Sequence, residues 1–365
     1  MTHQRLMRGR RLATFELRDP DPKVLIVTNA WPHAGDPTYG IFIKRQVDSL
    51  RGIGVGLDVL FVRGYLSKSA YGSAALLLAK LSRSGEPPYQ LVHAHGGETG
   101  LSVLAYRRAP TLVSYLGDDL LGTPRADASF PTWSRARRAV IRRSAALVSR
   151  TITKSYEMQL ALPRSCRDRN DVVPNGVDES IFAPVARDEA RRILGWERDA
   201  RIALFGGNPR IPRKRFWLAQ AACELASASG PAVQVKTLVG VHPDEVPLMM
   251  SAADCLLLTS VVEGSPNVVK EALMCNLPVI ATPAGDVRDL LRDVSPSWIC
   301  AASPDEIARA LVQCLNTPTR SDGRVRSRQL TAGVIAERLL RVYERTLSGA
   351  SLGPAGEALT QSSTL

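Results

Sequence analysis

The chain has 365 residues, of which 45% are hydrophobic, and this is enough for two globular domains with cores of their own. It contains no run of 18 apolar residues, so we expect no membrane-spanning helix. Residues 1–20 are polar and rich in arginine, and they lack the apolar segment of a secretory signal. The six cysteines are scattered without a C-x-x-C pair, which favours a reducing, cytoplasmic location over a disulfide framework.

The formal net charge is +12, and much of it is concentrated between Trp133 and Asn170. This stretch holds ten Arg and Lys residues but only two acidic ones, a net charge of +8. An anionic substrate, an anionic membrane surface or nucleic acid could attract it, and a solvated helix is an equally good explanation. Stacking aromatic residues do not alternate with the basic ones, so we expect no nucleic-acid partner. Peripheral contact with the inner face of an anionic membrane stays open.

Short apolar segments of strand type alternate with helical segments along the chain. This order predicts an α/β fold of two doubly wound, Rossmann-like domains with parallel sheets, facing each other across a cleft. The boundary is expected near Pro174. In the first half, residues 145–152 are predicted as a strand that follows a basic helix over 133–143. The predicted organisation is a disordered N-terminus (1–20), a first domain (21–173), a second domain (174–330), a C-terminal helix (331–348) and a disordered tail (349–365).

The most informative stretch lies between strands predicted over 254–260 and 277–282. A loop at the carboxyl end of a parallel strand is where ligands bind in open α/β sheets. Pro266 suits the first turn of the following helix, whose free N–H groups attract an anion such as a phosphate. Two carboxylates beside an anion site make sense if the anion carries sugars, because carboxylates accept hydrogen bonds from hydroxyl groups. The residues of this predicted site are Glu263, Gly264, Ser265, Pro266, Asn267, Val268, Val269 and Glu271.

A second loop, over 207–215, follows a strand predicted over 202–206 and enters a helix at Phe216. Its basic residues have no acid among them, so they are suited to neutralise a diphosphate without a metal ion. We therefore predict no metal site and no cofactor. The basic residues are Arg210, Arg213, Lys214 and Arg215.

The pair Glu263 and Glu271 resembles the E-x7-E motif of the retaining GT-B glycosyltransferases known as group 1 or family 4. The run over 272–286 and the segment over 171–184, with its Pro-Asn-Gly-Val-Asp sequence, are similar to further motifs of that family. Three positions depart from the family pattern, which has an arginine and two glycines there: Asn208, Asn276 and Asp286.

The resemblance implies a role for each candidate residue of the second domain. Glu263 would face the donor hexose, and Glu271 would hold the ribose of the nucleotide. Lys214 would hold the diphosphate together with Arg210 or Arg213, and the spacing does not decide which arginine. Asn208 stands at the position of the family's arginine beside the donor, and Val241 lies in the loop that borders the base.

Residues of the first domain are implied in the same way. His95 would face the reacting sugar, whereas His93 is predicted as a core histidine. Asp119 is a candidate on the acceptor side, and a capping aspartate in a strand-end turn is an equal alternative. Gly40 would face the donor phosphates across the cleft. The final helix would fold back onto this domain.

The predicted activity is retaining transfer of a hexose from a UDP- or GDP-linked donor, with His95, Lys214 and Glu263 as catalytic residues. The resemblance implies no clear nucleophile, because attack on the same face is thought to use the leaving phosphate as base. The acceptor would be a glycan, a lipid-linked sugar or a small molecule, in cell-surface polysaccharide or glycolipid synthesis. Two alternatives stay open, a GT-B epimerase or hydrolase of nucleotide sugars and a catalytically silent GT-B subunit.

Overall fold

The computed structural model describes residues 12–17, 19, 21, 23–84, 89–228, 230–317 and 319–349. Residues 1–11 and the tail from 350 onwards, for which we predicted disorder, lie outside these ranges. Within the described residues, no helix combines the length and the apolar character needed to cross a bilayer.

A seven-stranded sheet forms the first domain, and its strands are β1 (Ala13–Leu17), β2 (Val24–Thr28), β3 (Leu57–Val62), β4 (Leu91–His95), β5 (Thr111–Ser114), β6 (Arg150–Thr153) and β7 (Asn170–Val172). Their order is β1-β3-β2-β4-β5-β6-β7, with β1 antiparallel to β3 and the other pairs parallel. The central strands are buried along their whole length, as expected where helices cover both faces of a parallel sheet.

Strand β1 shows that the predicted disorder of residues 1–20 is wrong for part of that segment. Ala13 pairs with Val62 and Phe15 with Leu60, so the segment extends the sheet at its edge. Ala13 is buried, and Phe15 packs against the core cluster that contains Leu60. Five residues of mixed polarity are too short a segment to show a strand period within a polar, Arg-rich sequence.

The helices of the first domain are α1 (Ile41–Gly52), α2 (Ser69–Ser84), α3 (Gly97–Val103), α4 (Asp118–Leu121), α5 (Thr132–Ser144) and α6 (Tyr156–Ala161). Residues of α2, α3, α5 and α6 share one core cluster, and α1 contributes to another. The strand predicted over 145–152 is wrong in its first half, because residues 145–147 form a 3-10 turn. Ala145 and Val148 are buried while the two residues between them are exposed, which is a helical and not a strand period.

The second domain begins with α7 (Arg187–Leu194) and contains five parallel strands, β8 (Arg201–Phe205), β9 (Val233–Thr237), β10 (Cys255–Leu258), β11 (Val279–Ala281) and β12 (Ser297–Ile299). Their order is β12-β11-β10-β8-β9. The other helices are α8 (Phe216–Ala228), α9 (Val246–Ala252), α10 (Asn267–Met274), α11 (Val287–Leu291), α12 (Pro304–Asn316) and α13 (Gly323–Arg326). Helices α8 and α12 belong to one core cluster, and α9, α10 and α11 to another.

The last helix, α14 (Ala332–Ser348), returns to the first domain. Its residues Ile335, Leu339 and Val342 belong to the same core cluster as residues of α1. Arg338 donates a hydrogen bond of 2.9 Å to the carbonyl oxygen of Val172 in β7. The hydroxyl of the buried Tyr343 lies 2.8 Å from Nδ1 of His93 in β4. The C-terminal helix is therefore an integral part of the first domain's core.

We expect Tyr343→Phe to destabilise the protein by about 1–3 kcal/mol, because the substitution leaves a buried ring nitrogen of His93 without a partner. Urea unfolding followed by circular dichroism measures this. Tyr156→Phe is the matched control, since Tyr156 is exposed and its substitution should leave the midpoint unchanged. Equal midpoints for wild type and Tyr343→Phe would contradict the assignment of this contact to the core.

Candidate active site

Two connected chambers lie between the domains. The larger chamber has a volume of about 790 Å³, and the smaller chamber about 250 Å³. Both have Gly206, Asn267 and Val268 in their walls, so the start of α10 borders each of them. This is the carboxyl end of the second parallel sheet, where the topology of open α/β sheets places a ligand.

The larger chamber is lined from both domains. The first domain supplies residues 35–38 together with Ile41 and Arg45, and the second supplies 206–208, 238–243 and Glu271. Two predicted donor-binding residues, Asn208 and Val241, are among them. The side-chain oxygen of Asn208 accepts a hydrogen bond of 2.9 Å from the backbone N–H of Arg210 and so shapes the basic loop.

Glu271 lies in the wall of the larger chamber, opposite Arg45 of α1. Their carboxylate and guanidinium groups are 3.7 Å apart, and Arg45 lies over the ring of Phe182 at 5.1 Å. Burial raises the pKa of Glu271, while Arg45 and Lys270 act in the opposite direction. Sequence reasoning missed Arg45, because a single arginine on an amphipathic helix is normally a solvated residue.

The smaller chamber is lined by the loop before α10 and by Lys214 and Glu263. Lys214 Nζ donates a hydrogen bond to Oε1 of Glu263, and Nη1 of Arg213 lies 3.9 Å from Oε2 of the same carboxylate. Arg213 also donates a hydrogen bond of 3.3 Å to the carbonyl oxygen of Val262. The structure thus brings Lys214, Arg213 and Glu263 together, and it leaves Arg210 exposed on the loop.

The start of α10 offers fewer N–H groups than predicted. The helix begins at Asn267, so Pro266 is its N-cap, and the N–H of Val269 already donates to the carbonyl oxygen of Pro266 at 3.2 Å. Val269 also has its side chain in the core. The backbone N–H groups of Asn267 and Val268 have no acceptor in the described part of the chain. These two groups remain for an anion at the junction of the chambers.

Close backbone packing holds the loop before α10 against the first domain. A Cβ atom on Gly264 would lie 2.9 Å from Sδ of Met158 and 3.1 Å from Cα of Gly117. Gly285 has a φ of +61°, and a Cβ atom there would lie 2.7 Å from the carbonyl oxygen of Glu263. Residues with a side chain do not fit at these contacts without a shift of the backbone.

Gly40 has a different role from the one predicted. It has a φ of +70° at the N-terminus of α1, and a Cβ atom would lie 2.2 Å from the carbonyl carbon of Ala30. Gly40 is buried and does not line either chamber; residues 35–38 of the same loop do. The glycine is required by the turn that places the loop.

His95 ends β4 and is fully buried. Neither of its ring nitrogens has a hydrogen-bond partner within the described ranges, and burial together with Lys154 lowers its pKa to about 3. His95 is therefore a neutral imidazole, and it does not line either chamber. His93, predicted as a core histidine, lies 2.8 Å from both Tyr343 Oη and Ser114 Oγ.

Asp119 is buried beneath the loop after β5. Its carboxylate accepts hydrogen bonds from the backbone N–H groups of Gly97, Leu116, Gly117 and Leu120. Burial raises its pKa to about 6, and the hydrogen bonds from Leu116 and Gly117 oppose this shift. The alternative of a strand-end capping aspartate describes this geometry, whereas contact with an acceptor does not.

Comparison with solved structures gives the class of the fold. Sucrose-phosphate synthase from Thermosynechococcus elongatus aligns with a TM-score of 0.70 over 90% of this chain and 100% of that chain, at 15% identity. HepE of Anabaena, solved in complex with UDP and glucose, aligns with a TM-score of 0.64 over 88% of this chain and 99% of its own, at 14% identity. The chain has the GT-B fold of these proteins, as predicted.

Sequence comparison relates the chain to glycosyltransferases. A family model described as "Glycosyl transferases group 1" matches residues 185–317. TuaC of Bacillus subtilis (strain 168), named as a teichuronic acid biosynthesis glycosyltransferase, is 24% identical over 80% of this chain and 88% of its own. D-inositol 3-phosphate glycosyltransferase 1 of Catenulispora acidiphila is 27% identical over 72% and 73% of the two chains. Residues 185–317 therefore match the group 1 glycosyltransferase model, and most of the chain is similar to glycosyltransferases.

Proposed function

We propose that the protein transfers a hexose from a nucleotide-diphosphate sugar with retention of the anomeric configuration. The main support for this proposal is the arrangement of residues around α10. Glu271 lies in the larger chamber, whereas Glu263 and Lys214 lie in the smaller one. The free N–H groups at the start of α10 lie between them. This order matches the order of ribose, diphosphate and hexose in such a donor. UDP and glucose in the HepE complex are consistent with this class of donor.

Each part of the donor then has a partner suited to its chemistry. The carboxylate of Glu271 accepts hydrogen bonds from the ribose hydroxyls, and Arg45 holds that carboxylate in place. The N–H groups of Asn267 and Val268 and the ammonium of Lys214 bind the diphosphate. Lys214 stabilises the negative charge that grows on the diphosphate as the bond to the sugar breaks.

Glu263 orients the hexose through its hydroxyl groups. Lys214 and Arg213 neutralise its carboxylate in the free protein, so Glu263 is poorly suited to attack the sugar as a nucleophile. Same-face attack, in which the leaving phosphate accepts the proton of the acceptor hydroxyl, requires no nucleophile from the protein. We propose that basic residues replace a metal ion in this step.

The acceptor is proposed to be a glycan or a lipid-linked sugar of a cell-surface polysaccharide or glycolipid pathway. The names of two relatives, in teichuronic acid biosynthesis and in transfer to D-inositol 3-phosphate, support acceptors of glycoconjugate type.

A thermal-shift panel of UDP-, GDP- and ADP-sugars tests the donor class. A donor at ~100 times its dissociation constant stabilises the protein by ~2.7 kcal/mol, which raises the melting temperature by a few degrees. The donor that gives a shift is then incubated with candidate acceptors, and the anomeric configuration of the product is read by NMR. Inversion at the anomeric carbon would reject the retaining reaction, and release of nucleotide without a transfer product would favour an epimerase or hydrolase.

The same assay with EDTA tests metal independence. We expect the transfer rate to be unchanged after chelation, because Lys214 and Arg213 supply the positive charge at the diphosphate. Activity that EDTA abolishes and Mg²⁺ or Mn²⁺ restores would reject this part of the proposal.

We expect Lys214→Ala and Glu271→Ala to change different kinetic constants. Loss of Lys214 removes an interaction that strengthens in the transition state, so kcat should fall by roughly 10²-fold or more. Loss of Glu271 removes ribose contacts that do not change during the reaction, so the donor KM should rise roughly 10-fold with kcat nearly unchanged. Steady-state kinetics on folded variants measures both.

Exposed residues of the same types provide the controls, with Lys80→Ala matched to Lys214→Ala and Glu344→Ala matched to Glu271→Ala. Both controls should keep the kinetics of the wild type. A near-normal kcat for Lys214→Ala would place the partner of the diphosphate elsewhere in the cleft.

The net charge of +8 between Trp133 and Asn170 is not a sufficient argument for membrane contact, because most of these charges are used within the protein. Six of the ten basic residues have partners within the protein: Arg137, Arg138 and Arg142 donate to carbonyl oxygens of α4, Arg150 pairs with Asp171, and Arg167 and Arg169 donate to other backbone carbonyls. Of the other four, Lys154 is buried, Arg164 lies in a later 3-10 turn, and Arg135 and Arg143 belong to a stripe on α5 and the turn after it. Trp133, Val140 and Leu147, seven residues apart, are 59%, 53% and 68% exposed, and Arg135 and Arg143 are exposed beside them. We propose that this stripe binds to the surface of an anionic membrane. Its apolar side chains would enter the interface, and its arginines would attract the anionic head groups.

We expect the protein to sediment with vesicles that contain phosphatidylglycerol, less so at high salt, and weakly with phosphatidylcholine alone. A double substitution, Trp133→Ser with Val140→Ser, should lower binding roughly 10-fold or more, since it removes two apolar side chains. Leu76→Ser on α2, where Leu76 is 75% exposed, is the matched control and should bind as the wild type does. Equal partitioning to both kinds of vesicle would reject the proposal.

A further inference from the structure

Two buried lysines from different domains lie next to each other behind the smaller chamber. Lys154 follows β6, beside Val173, whose N–H donates to the carbonyl oxygen of Thr153. Lys270 lies on α10, and its Nζ donates a hydrogen bond of 3.0 Å to the carbonyl oxygen of Asn175, two residues after Val173. Both lysines are almost completely buried. The crossover between the domains therefore brings the two ammonium groups to the same place.

Among the described residues, no carboxylate forms a direct ion pair with Lys154. In the described part of the chain it has neither an ion pair nor a hydrogen bond from its amino group. Asp119 is the acid that acts on it, and both oxygens of that carboxylate are already occupied by backbone N–H groups. Asp286 acts on Lys270, not on Lys154. Burial and the charge of Lys270 lower the pKa of Lys154 to about 7.

Other polar atoms near this pair also lack partners. Both ring nitrogens of His95, whose pKa is lowered by the charge of Lys154, are buried and unpaired among the described residues. Oγ of Ser265 and the carboxylate of Asp286 are also buried, but these two groups interact with each other, and Asp286 lies close to Lys270. Buried polar groups in proteins are normally paired, so the unpaired ring nitrogens of His95 beside an unpaired cation point to a ligand.

We propose that Lys154, supported by Lys270, binds a phosphate group of a substrate, so that the first domain supplies a cation to the reaction centre opposite Lys214. This rests on the proposed function. The phosphate belongs either to the donor diphosphate or to an anionic acceptor, and the two sources share the same chemistry. The ligand would neutralise the charge of the two neighbouring ammonium groups. Sequence reasoning counted Lys154 only as part of the basic stretch.

Isothermal titration of the full chain with UDP, GDP and inorganic phosphate tests this inference. The variants are Lys154→Met, which keeps the length of the side chain, Lys154→Arg, which keeps the charge, and the exposed control Lys80→Met. We expect Lys154→Met to lose roughly 10-fold or more in phosphate affinity, the scale of one buried charged partner, while Lys154→Arg retains part of it. Uridine and guanosine, which carry no phosphate, should bind equally to all variants.

The two sources of phosphate give different results. If the site holds the donor diphosphate, Lys154→Met weakens binding of UDP or GDP. If it holds an acceptor, UDP or GDP binds normally, and inorganic phosphate no longer binds to the nucleotide-saturated variant although it binds to the wild type. In both cases the melting temperature of free Lys154→Met should rise, because an unpaired buried charge has been removed.

Unchanged affinities of Lys154→Met for all three probes would overturn the inference, and a lower melting temperature beside them would show that Lys154 is a structural cation. A wild type that binds neither UDP nor GDP would instead count against the proposed function. The titration with inorganic phosphate would still decide the role of Lys154 in that case.

Discussion

The close contact between Gly264 and Gly117 is the constraint on which the cleft depends. It lets the loop before α10 approach the loop after β5 at backbone distance, and Gly285 supports the same loop from the other side. With the loop seated there, Glu263 reaches Lys214 and Arg213, and the start of α10 borders both chambers. Two separately folded parallel sheets thus form one site because three glycines permit the backbones to touch.

Charged side chains of the first domain also help to fix the loop that contacts Gly264. Helix α4 is only one turn long, so apart from the carbonyl oxygen of Asp118, which accepts the N–H of the C-cap Gly122, its carbonyl groups have no helical partner. Three arginines of α5 donate to carbonyl oxygens of α4, and Asp119 accepts the N–H groups at the start of that turn. The loop that meets Gly264 is therefore held at both ends by charged side chains. This accounts for much of the basic stretch without any ligand.

The fold and the second-domain motif could be predicted because they depend on local patterns. Apolar runs of strand length and the spacing of Glu263 and Glu271 are visible in the sequence, and so is the basic loop around Lys214. Arg45 could not be recognised as a residue of the cleft, nor Lys154 and Lys270 as buried neighbours, because only the packing of the two domains brings them together. Asp119 and Gly40 were assigned to ligands although the backbone needs them, since a sequence does not distinguish a residue that shapes a loop from one that the loop presents. Strand β1 was missed because its partner residues are 42 to 49 positions away in sequence.

Under the proposed function, the ion pair between Lys214 and Glu263 also bears on the chemistry. In the free protein each charge satisfies the other in a largely buried position, so the cleft can remain folded without a donor. A bound donor must draw Lys214 towards the diphosphate, and this weakens a contact that already exists. In the ground state, the binding free energy that Lys214 contributes is therefore small. As the sugar–phosphate bond breaks, negative charge grows on the leaving group and the attraction to Lys214 increases, while the charge on Glu263 stays the same. The ion pair thus lowers the contribution of Lys214 to ground-state binding more than its contribution to the transition state, which is the difference that accelerates a reaction.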